Sequence, residues 1–156
     1  MAEPGVEAAE AEVRPEDLAA LENEMVATIR RARLGSREQA RALHPALDPT
    51  AFPLVVLLGR NGELRMSELA EALSLDKSTV TRQVDAVVRL GLAERASDPQ
   101  DARVRIVRLT PDGREKVLAL LDGQRARWRA ALGTWDRGDV VELTRLLHQL
   151  GNAGVI

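Results

Sequence analysis

The sequence predicts a mainly α-helical protein with one small β hairpin. Three observations carry that expectation. Apolar residues recur at steps of three and four in several separate stretches, which is the spacing of an amphipathic helix. Asp48-Pro49 and Thr110-Pro111 each combine an N-cap side chain with proline at the first helical position. One stretch, LAERASDPQDARVRIVRL, instead carries turn chemistry between two short runs, the second rich in β-branched residues. At 156 residues and 45% apolar content the chain is the size of one ordinary domain and can build a core.

Taken in order, residues 1–13 are alanine, glutamate and a Pro-Gly pair, too polar to fold alone, and are expected to form a disordered acidic tail. After Pro15, the residues Leu18, Leu21, Met25, Ile29 and Ala32 predict a helix ending near Leu34-Gly35, with Gly35 suited to a C-terminal cap. A second short helical piece is expected from Arg37 to Leu43. Asp48-Pro49 opens a helix through Leu58 whose start Pro53 should distort. Arg60-Asn61-Gly62 reads as a turn and Glu63 to Arg65 as a very short strand. MSELAEALSL places Met66, Leu69, Ala70 and Leu73 on one side of a helix too brief to stand without packing.

Three residues later DKSTVTRQVDAVVRLGL begins with Asp76 as N-cap and closes at Gly91. Its Val80, Val84, Val87 and Val88 make one stripe to bury, so Ser78, Thr79, Arg82 and Arg89 point away from it. Helix, tight turn and capped helix make a helix-turn-helix. The hairpin follows, from Leu92 to Ser97 and from Arg103 to Leu109, turning at Asp98-Pro99-Gln100-Asp101. A long helix to about Leu132 carries Val117, Leu120, Leu121, Trp128 and Leu132. A last one opens near Asp136 with Val140, Leu143, Leu146, Leu147 and Leu150.

Composition excludes several chemistries. Without cysteine there are no disulfides, thiolate metal sites or thiol switches, and two histidines, His44 and His148, argue against a protein-only zinc site. No cofactor or metal is expected, nor an enzyme: a Gly-rich phosphate loop is missing too. The N-terminus lacks a basic n-region and an apolar h-region, and no run approaches a membrane span, so a soluble cytoplasmic protein is expected, with no membrane partner. The net charge of −2 sums unlike regions. Residues 1–24 hold eight acids against Arg14, whereas residues 77–108 hold seven bases against four acids.

The stretch from Glu63 to Gly113 resembles the winged helix-turn-helix of the MarR family of bacterial transcriptional regulators. The residues that carry the likeness are SELA before the turn, DKSTVTRQVD and GLAER in the second helix and first wing strand, DPQDAR at the wing tip, and LTPDG at the start of the next helix. The resemblance implies a winged helix-turn-helix over 48–110, flanked by dimerisation helices in 14–47 and 111–156. It implies a homodimeric repressor that binds a palindrome in double-stranded DNA and is released by a small-molecule effector. Carried over by position, the recognition helix is Lys77 to Leu90. Ser78, Thr79 and Arg82 would reach base edges first, with Lys77, Thr81 and Gln83 beside them. Arg103 would enter the minor groove, steadied by Asp101. Many relatives have a second basic residue directly before that arginine, where this chain has Ala102. The family's effector pocket would here draw on His44, Phe52 and Trp128.

Physical chemistry supports the same assignment from the residues alone. A major groove admits a helix, whose starting side chains meet base edges, and Arg82 can address a guanine by its bidentate fork. Arg103 on a hairpin tip suits a narrow, negative minor groove. Local roles compete with these readings. Ser78 and Thr79 also suit capping beside Asp76, Arg89, Arg95, Arg105 and Arg108 suit solvated or ion-paired positions, and Asp101 with Arg103 suits a surface pair. A winged module that binds protein and not DNA is the alternative function. Because the flanking helices carry apolar stripes with no obvious partner in one chain, two copies are expected to pair across a two-fold axis. Their recognition helices would then lie about 34 to 36 Å apart.

Overall fold

A proline, not a glycine, ends the first helix. In the computed structural model, which describes residues 13–98, 101 and 103–154, α1 runs unbroken over Pro15–Leu43. The stop expected at Leu34-Gly35 does not occur, and the predicted piece from Arg37 is the continuation of α1. Glycine inside a helix costs only about 1 kcal/mol relative to alanine, too little to end one that docks further along. Ala40 and Leu43 are that docking point, buried in the core. The true exit is His44, whose extended backbone (φ −160°, ψ 130°) is the conformation that a following proline imposes. The acidic tail expected over 1–13 lies, apart from Val13, outside the described residues, as do Pro99, Gln100 and Ala102 of the wing.

Asp48 then caps a 3-10 turn, Pro49–Ala51, by accepting from the Thr50 amide at 2.8 Å. The Thr50 amide and hydroxyl hold the Asp48 carboxyl below the usual carboxylate range. Helix α2 begins afresh at Phe52 and ends at Asn61. The distorted start expected at Pro53 takes this form. Because α2 restarts at Phe52, Pro53 falls in its first turn, where a missing N–H leaves no bond unmade.

Strand β1 (Leu64–Arg65) leads into α3 (Met66–Leu73), and α4 (Lys77–Arg89) follows after three residues. The turn between them puts Ser74 in the left-handed region at φ 52°, where the Leu75 amide donates to the Ala70 carbonyl at 3.0 Å. Gly91, at φ 70°, closes α4 as its sequence position suggests. The hairpin is β2 (Ala93–Ser97) and β3 (Arg105–Leu109), paired from Ala93↔Leu109 to Ser97↔Arg105. β1 joins the other edge of β3 through Leu64↔Val107, giving an antiparallel sheet of order β1-β3-β2.

The core sits where α2, α3, α4, the sheet and the first half of α5 (Pro111–Leu132) meet. Val80, Val84 and Val87 of α4 are fully buried and Val88 partly so, matching the predicted stripe. Burial of such side chains stabilises by roughly 1.5–3 kcal/mol each. Leu54, Val55, Leu58, Leu69, Leu92, Val107 and Val117 complete the centre. Outside it, α1 before Ala40 and all of α6 (Arg137–Asn152) bury no residue. Their stripes, including Leu18, Leu21, Ile29, Val141, Leu143, Leu146 and Leu147, stay exposed in a single chain.

Helix α5 is set against the hairpin by a close backbone approach. Thr110 caps it, accepting from the Gly113 amide at 3.0 Å while donating to the Gly91 carbonyl at 2.7 Å. A Cβ on Gly113 would stand 2.1 Å from the Leu92 carbonyl oxygen. The substitution Gly113→Ala is therefore expected to destabilise the protein by about 2 to 3 kcal/mol, read as a lower urea midpoint, because backbone cannot give way as a side chain does.

Candidate nucleic-acid interface

The outward face of α4 starts at its cap. The Asp76 carboxylate accepts from the Thr79 amide at 2.9 Å, the Thr79 hydroxyl at 2.6 Å and the Ser78 hydroxyl at 2.5 Å. The Ser78 hydroxyl first, then the Thr79 hydroxyl and amide, hold the Asp76 carboxyl far below the usual carboxylate range. The capping role open to Ser78 and Thr79 is thus realised in the unbound chain. Their hydroxyl protons are committed inward, so each offers a partner only lone pairs. A base amino group fits that chemistry directly. A phosphate oxygen, itself an acceptor, fits only if the hydroxyl leaves the cap.

Arg82 lies one turn on, exposed, with Nη2 donating to the Thr79 hydroxyl at 3.2 Å. Asp76, Thr79 and Arg82 form one chain of hydrogen bonds that holds the guanidinium over the helix start. Lys77 is exposed at the first helical position, where a cation opposes the helix dipole unless an anion joins it. The other two predicted readers turn elsewhere. The Thr81 hydroxyl donates to its own helix, to the Lys77 carbonyl at 2.8 Å. Gln83 is half-buried and donates to the Thr50 carbonyl at 3.0 Å, tying α4 to the turn before α2, while its Oε1 is buried with no hydrogen-bond partner.

At the wing, Arg103 is exposed. Asp101 steadies it through the backbone: the carboxylate accepts from the Arg103 amide at 3.0 Å, and among the described residues no ion pair joins the two side chains. The remaining arginines divide as their local alternatives suggested. Arg95 pairs with Asp85 at 2.7 Å, which ties β2 to α4, Arg108 pairs with Glu94 at 2.8 Å, and Arg105 donates to Ser97. Arg89 is exposed.

One interaction that holds the wing has no local sequence signal. Asp98, nearly buried at the last described residue before the wing tip, accepts from Arg65 Nη2 at 2.7 Å and Nε at 3.2 Å. The hydrogen bond and charge of Asp98 raise the Arg65 pKa further. Thirty-three residues separate them in sequence. Only the pairing of β1 with β3 brings them together, and the alternation of a two-residue strand carries no such information.

The three residues assigned to an effector pocket are not brought together. Phe52 is in the core, because α2 restarts there and turns its first residue inward. His44 is half-buried at the end of α1, its Nδ1 accepting from the Ala46 amide at 3.1 Å. Trp128 is 60% exposed beside a shallow hollow shared with Gln39 and Gln124. A hollow of about 750 Å³ lies between α1 and α5, with Ala42, Leu43, Ala119 and Leu120 as apolar lining and Lys116 and Arg127 beside them.

The sequence model of the MarR family matches residues 47–104. Over 133 residues the chain is 30% identical to the HTH-type transcriptional regulator YxaD of Bacillus subtilis, an alignment covering 85% of this chain and 92% of that protein. The chain belongs to the MarR family. It is also 32% identical over 96 residues to the multiple antibiotic resistance protein MarR of Salmonella typhimurium, covering 58% of this chain and 67% of that one. The fold is similar to that of Streptococcus pneumoniae FabT, solved in complex with DNA, with a TM-score of 0.77 at 17% identity, over 87% of this chain and 96% of that one. As a MarR-family member the protein is a DNA-binding transcriptional regulator. Among the described residues no helix is long and apolar enough to cross a membrane.

The lowered pKa of Asp76 sets a pH dependence. The charged cap contributes stability that is fully present above the unfolded value near 3.8 and is lost as pH falls toward the folded value. In urea denaturation series between pH 5 and pH 3 (roughly one unit either side of an ordinary carboxyl), Asp76→Asn is expected to flatten the acid side of the stability profile.

Proposed function

We propose that this MarR-family regulator is a homodimeric repressor that reads a palindromic promoter site, with α4 in the major groove and the wing arginine in the minor groove of each half-site. The observation that carries the reading is the exposed start of α4. Lys77, Ser78 and Arg82 stand there together and exposed, with Asp76 engaged as the cap and Asp48 across a hollow beside Arg82, while the valine face of the helix is buried. In this reading Arg82 addresses a base by its bidentate fork, and Ser78 and Thr79 accept from base amino groups. Lys77 and the helix start engage phosphate. Arg103 enters the minor groove from a tip whose backbone Asp101 holds. Thr81 and Gln83 shape and seat the helix and touch no base.

The dimer reading rests on the outer helices. Exposed Leu18, Leu21 and Ile29 of α1, Trp128 of α5, and Leu143, Leu146 and Leu147 of α6 are large apolar side chains at helical spacing. A partner copy supplies the surface that would cover them. Release is proposed to follow from a small molecule seated in the hollow between α1 and α5. That hollow borders both an outer helix and the helix leaving the wing.

Two measurements test this. Arg82→Ala should cost roughly 1 to 3 kcal/mol on the preferred site and relax sequence choice, whereas Arg103→Ala should weaken binding more evenly across sequences and lower the salt slope by about one per site, both read by anisotropy titrations on selected and scrambled duplexes. Unchanged affinity in both variants would sink the placement of α4 and the wing. Sedimentation equilibrium at micromolar concentration should return twice the chain mass, and a monomer there would remove the two-fold reading.

A further inference from the structure

Helix α1 carries four arginines on one face, and none has a partner among the described residues. Arg30, Arg33, Arg37 and Arg41 fall within an arc of about 80° when placed at about 100° per residue, and they span about 16 Å of helix. All four are exposed, and the described residues supply none of them with an ion pair or hydrogen bond. Arginines elsewhere, such as Arg60, Arg114 and Arg137, are likewise unpaired among the described residues, but without forming a row at i, i+4, and other helical cations are paired locally. Arg14 with Asp17, Lys116 with Asp112, Arg125 with Asp122 and Arg145 with Glu142 are all satisfied within a turn of their own helices. Even Arg31, next to the stripe in sequence but off its face, reaches Glu24 and Thr28.

The stripe is also costly where it stands. Arg33, Arg37 and Arg41 succeed one another at i, i+4, the spacing at which like charges repel along a helix. Between Met25 and Leu47 five arginines face Glu38 alone, and Glu38 borders the hollow toward α5. Arg41 has the C-terminal end of the helix dipole in its favour. Arg33 and Arg37 lie too far from the helix end for that, and Asp48, across a hollow from them, forms no ion pair with either.

Their position supplies the missing partner. Arg33 and Arg37 border a hollow whose other wall is Asp48 and Thr50. The same Asp48 and Thr50 border the hollow that contains Thr79 and Arg82. Thr50 is moreover bonded to α4 through Gln83. The arginine stripe and the reading edge of α4 are thus two sides of one short turn. We infer that Arg33 and Arg37 bind DNA phosphates beside the base pairs read by α4, extending the contact surface from the winged domain onto the outer helix. The inference rests on α4 facing duplex DNA, and the polyanion is the one ligand already adjacent to the stripe. Such contacts hold position and carry affinity without reading sequence.

The test is the salt dependence of binding to a mixed-sequence duplex of about three helical turns, by fluorescence anisotropy. Each phosphate contact contributes about 0.9 to the slope of log K against log salt. For a two-fold assembly, Arg33→Gln with Arg37→Gln should make that slope shallower by about 3 to 4 and weaken binding about 100-fold near physiological salt. Preference for a selected site over the mixed duplex should not change. Arg33→Lys with Arg37→Lys should keep the steep slope, and Arg31→Gln should leave it unaltered. An unaltered slope in the double glutamine variant overturns the inference and leaves the reading of α4 intact. An equal loss in Arg31→Gln overturns it as well, since net charge alone would then account for the effect. So does dissociation of the double variant in sedimentation, which would assign the stripe to a subunit contact. If the unmodified chain bound no duplex at any salt, both this inference and the reading of α4 would fall.

Discussion

Complete burial of Val80, Val84 and Val87 leaves α4 only one rotational setting about its axis, and the rest of the recognition surface depends on it. A shift of one residue along a helix turns every side chain by about 100°, which would put Thr79, Gln83 and Ala86, or Thr81, Asp85 and Val88, where the three valines are buried. The cap at Asp76 fixes where the helix begins, and the Arg95 to Asp85 pair fixes it against the wing. Ser78 and Arg82 therefore face outward because of what their neighbours bury. Their own chemistry decides only what they do once there.

Local signals were legible in the sequence, and contacts between distant segments were not. Asp76, Thr110 and Asp136 each accept a backbone amide at a helix start, as N-cap side chains followed by helical patterns should. The valine stripe, the hairpin and the very short β1 are where periodicity and turn residues put them. The end of α1 was misplaced because a glycine is a weaker stop than a residue before proline, and the docking of Leu43 favours continuation. Phe52 is assigned to the effector pocket by the family resemblance, but the 3-10 turn before α2 sets it into the core. Gln83 sits among the reading residues in sequence, but its bond to Thr50 joins segments thirty-three positions apart. Arg65 with Asp98 hides for the same reason.

The arginines show why charge counted along a sequence overstates charge available to a ligand. Arg95, Arg105 and Arg108 are engaged within the winged domain, and Arg65 is held by a nearly buried carboxylate. Surface pairs of this kind contribute little stability each, yet they screen the field that a polyanion would meet. Within the winged domain, what remains outward for a ligand includes the start of α4 and the wing tip.

The unbroken passage of α1 through Gly35 has a mechanical consequence. Twenty-nine residues of helix make a rod about 43 Å long, anchored to the core only through Ala40 and Leu43 at one end. With no joint at mid-length to absorb motion, a tilt of about 5° at the anchored end displaces the far end by nearly 4 Å, more than the length of a hydrogen bond. Small adjustments where the rod meets the winged domain and large ones where it leaves it are, for this protein, the same event seen from opposite ends of a lever.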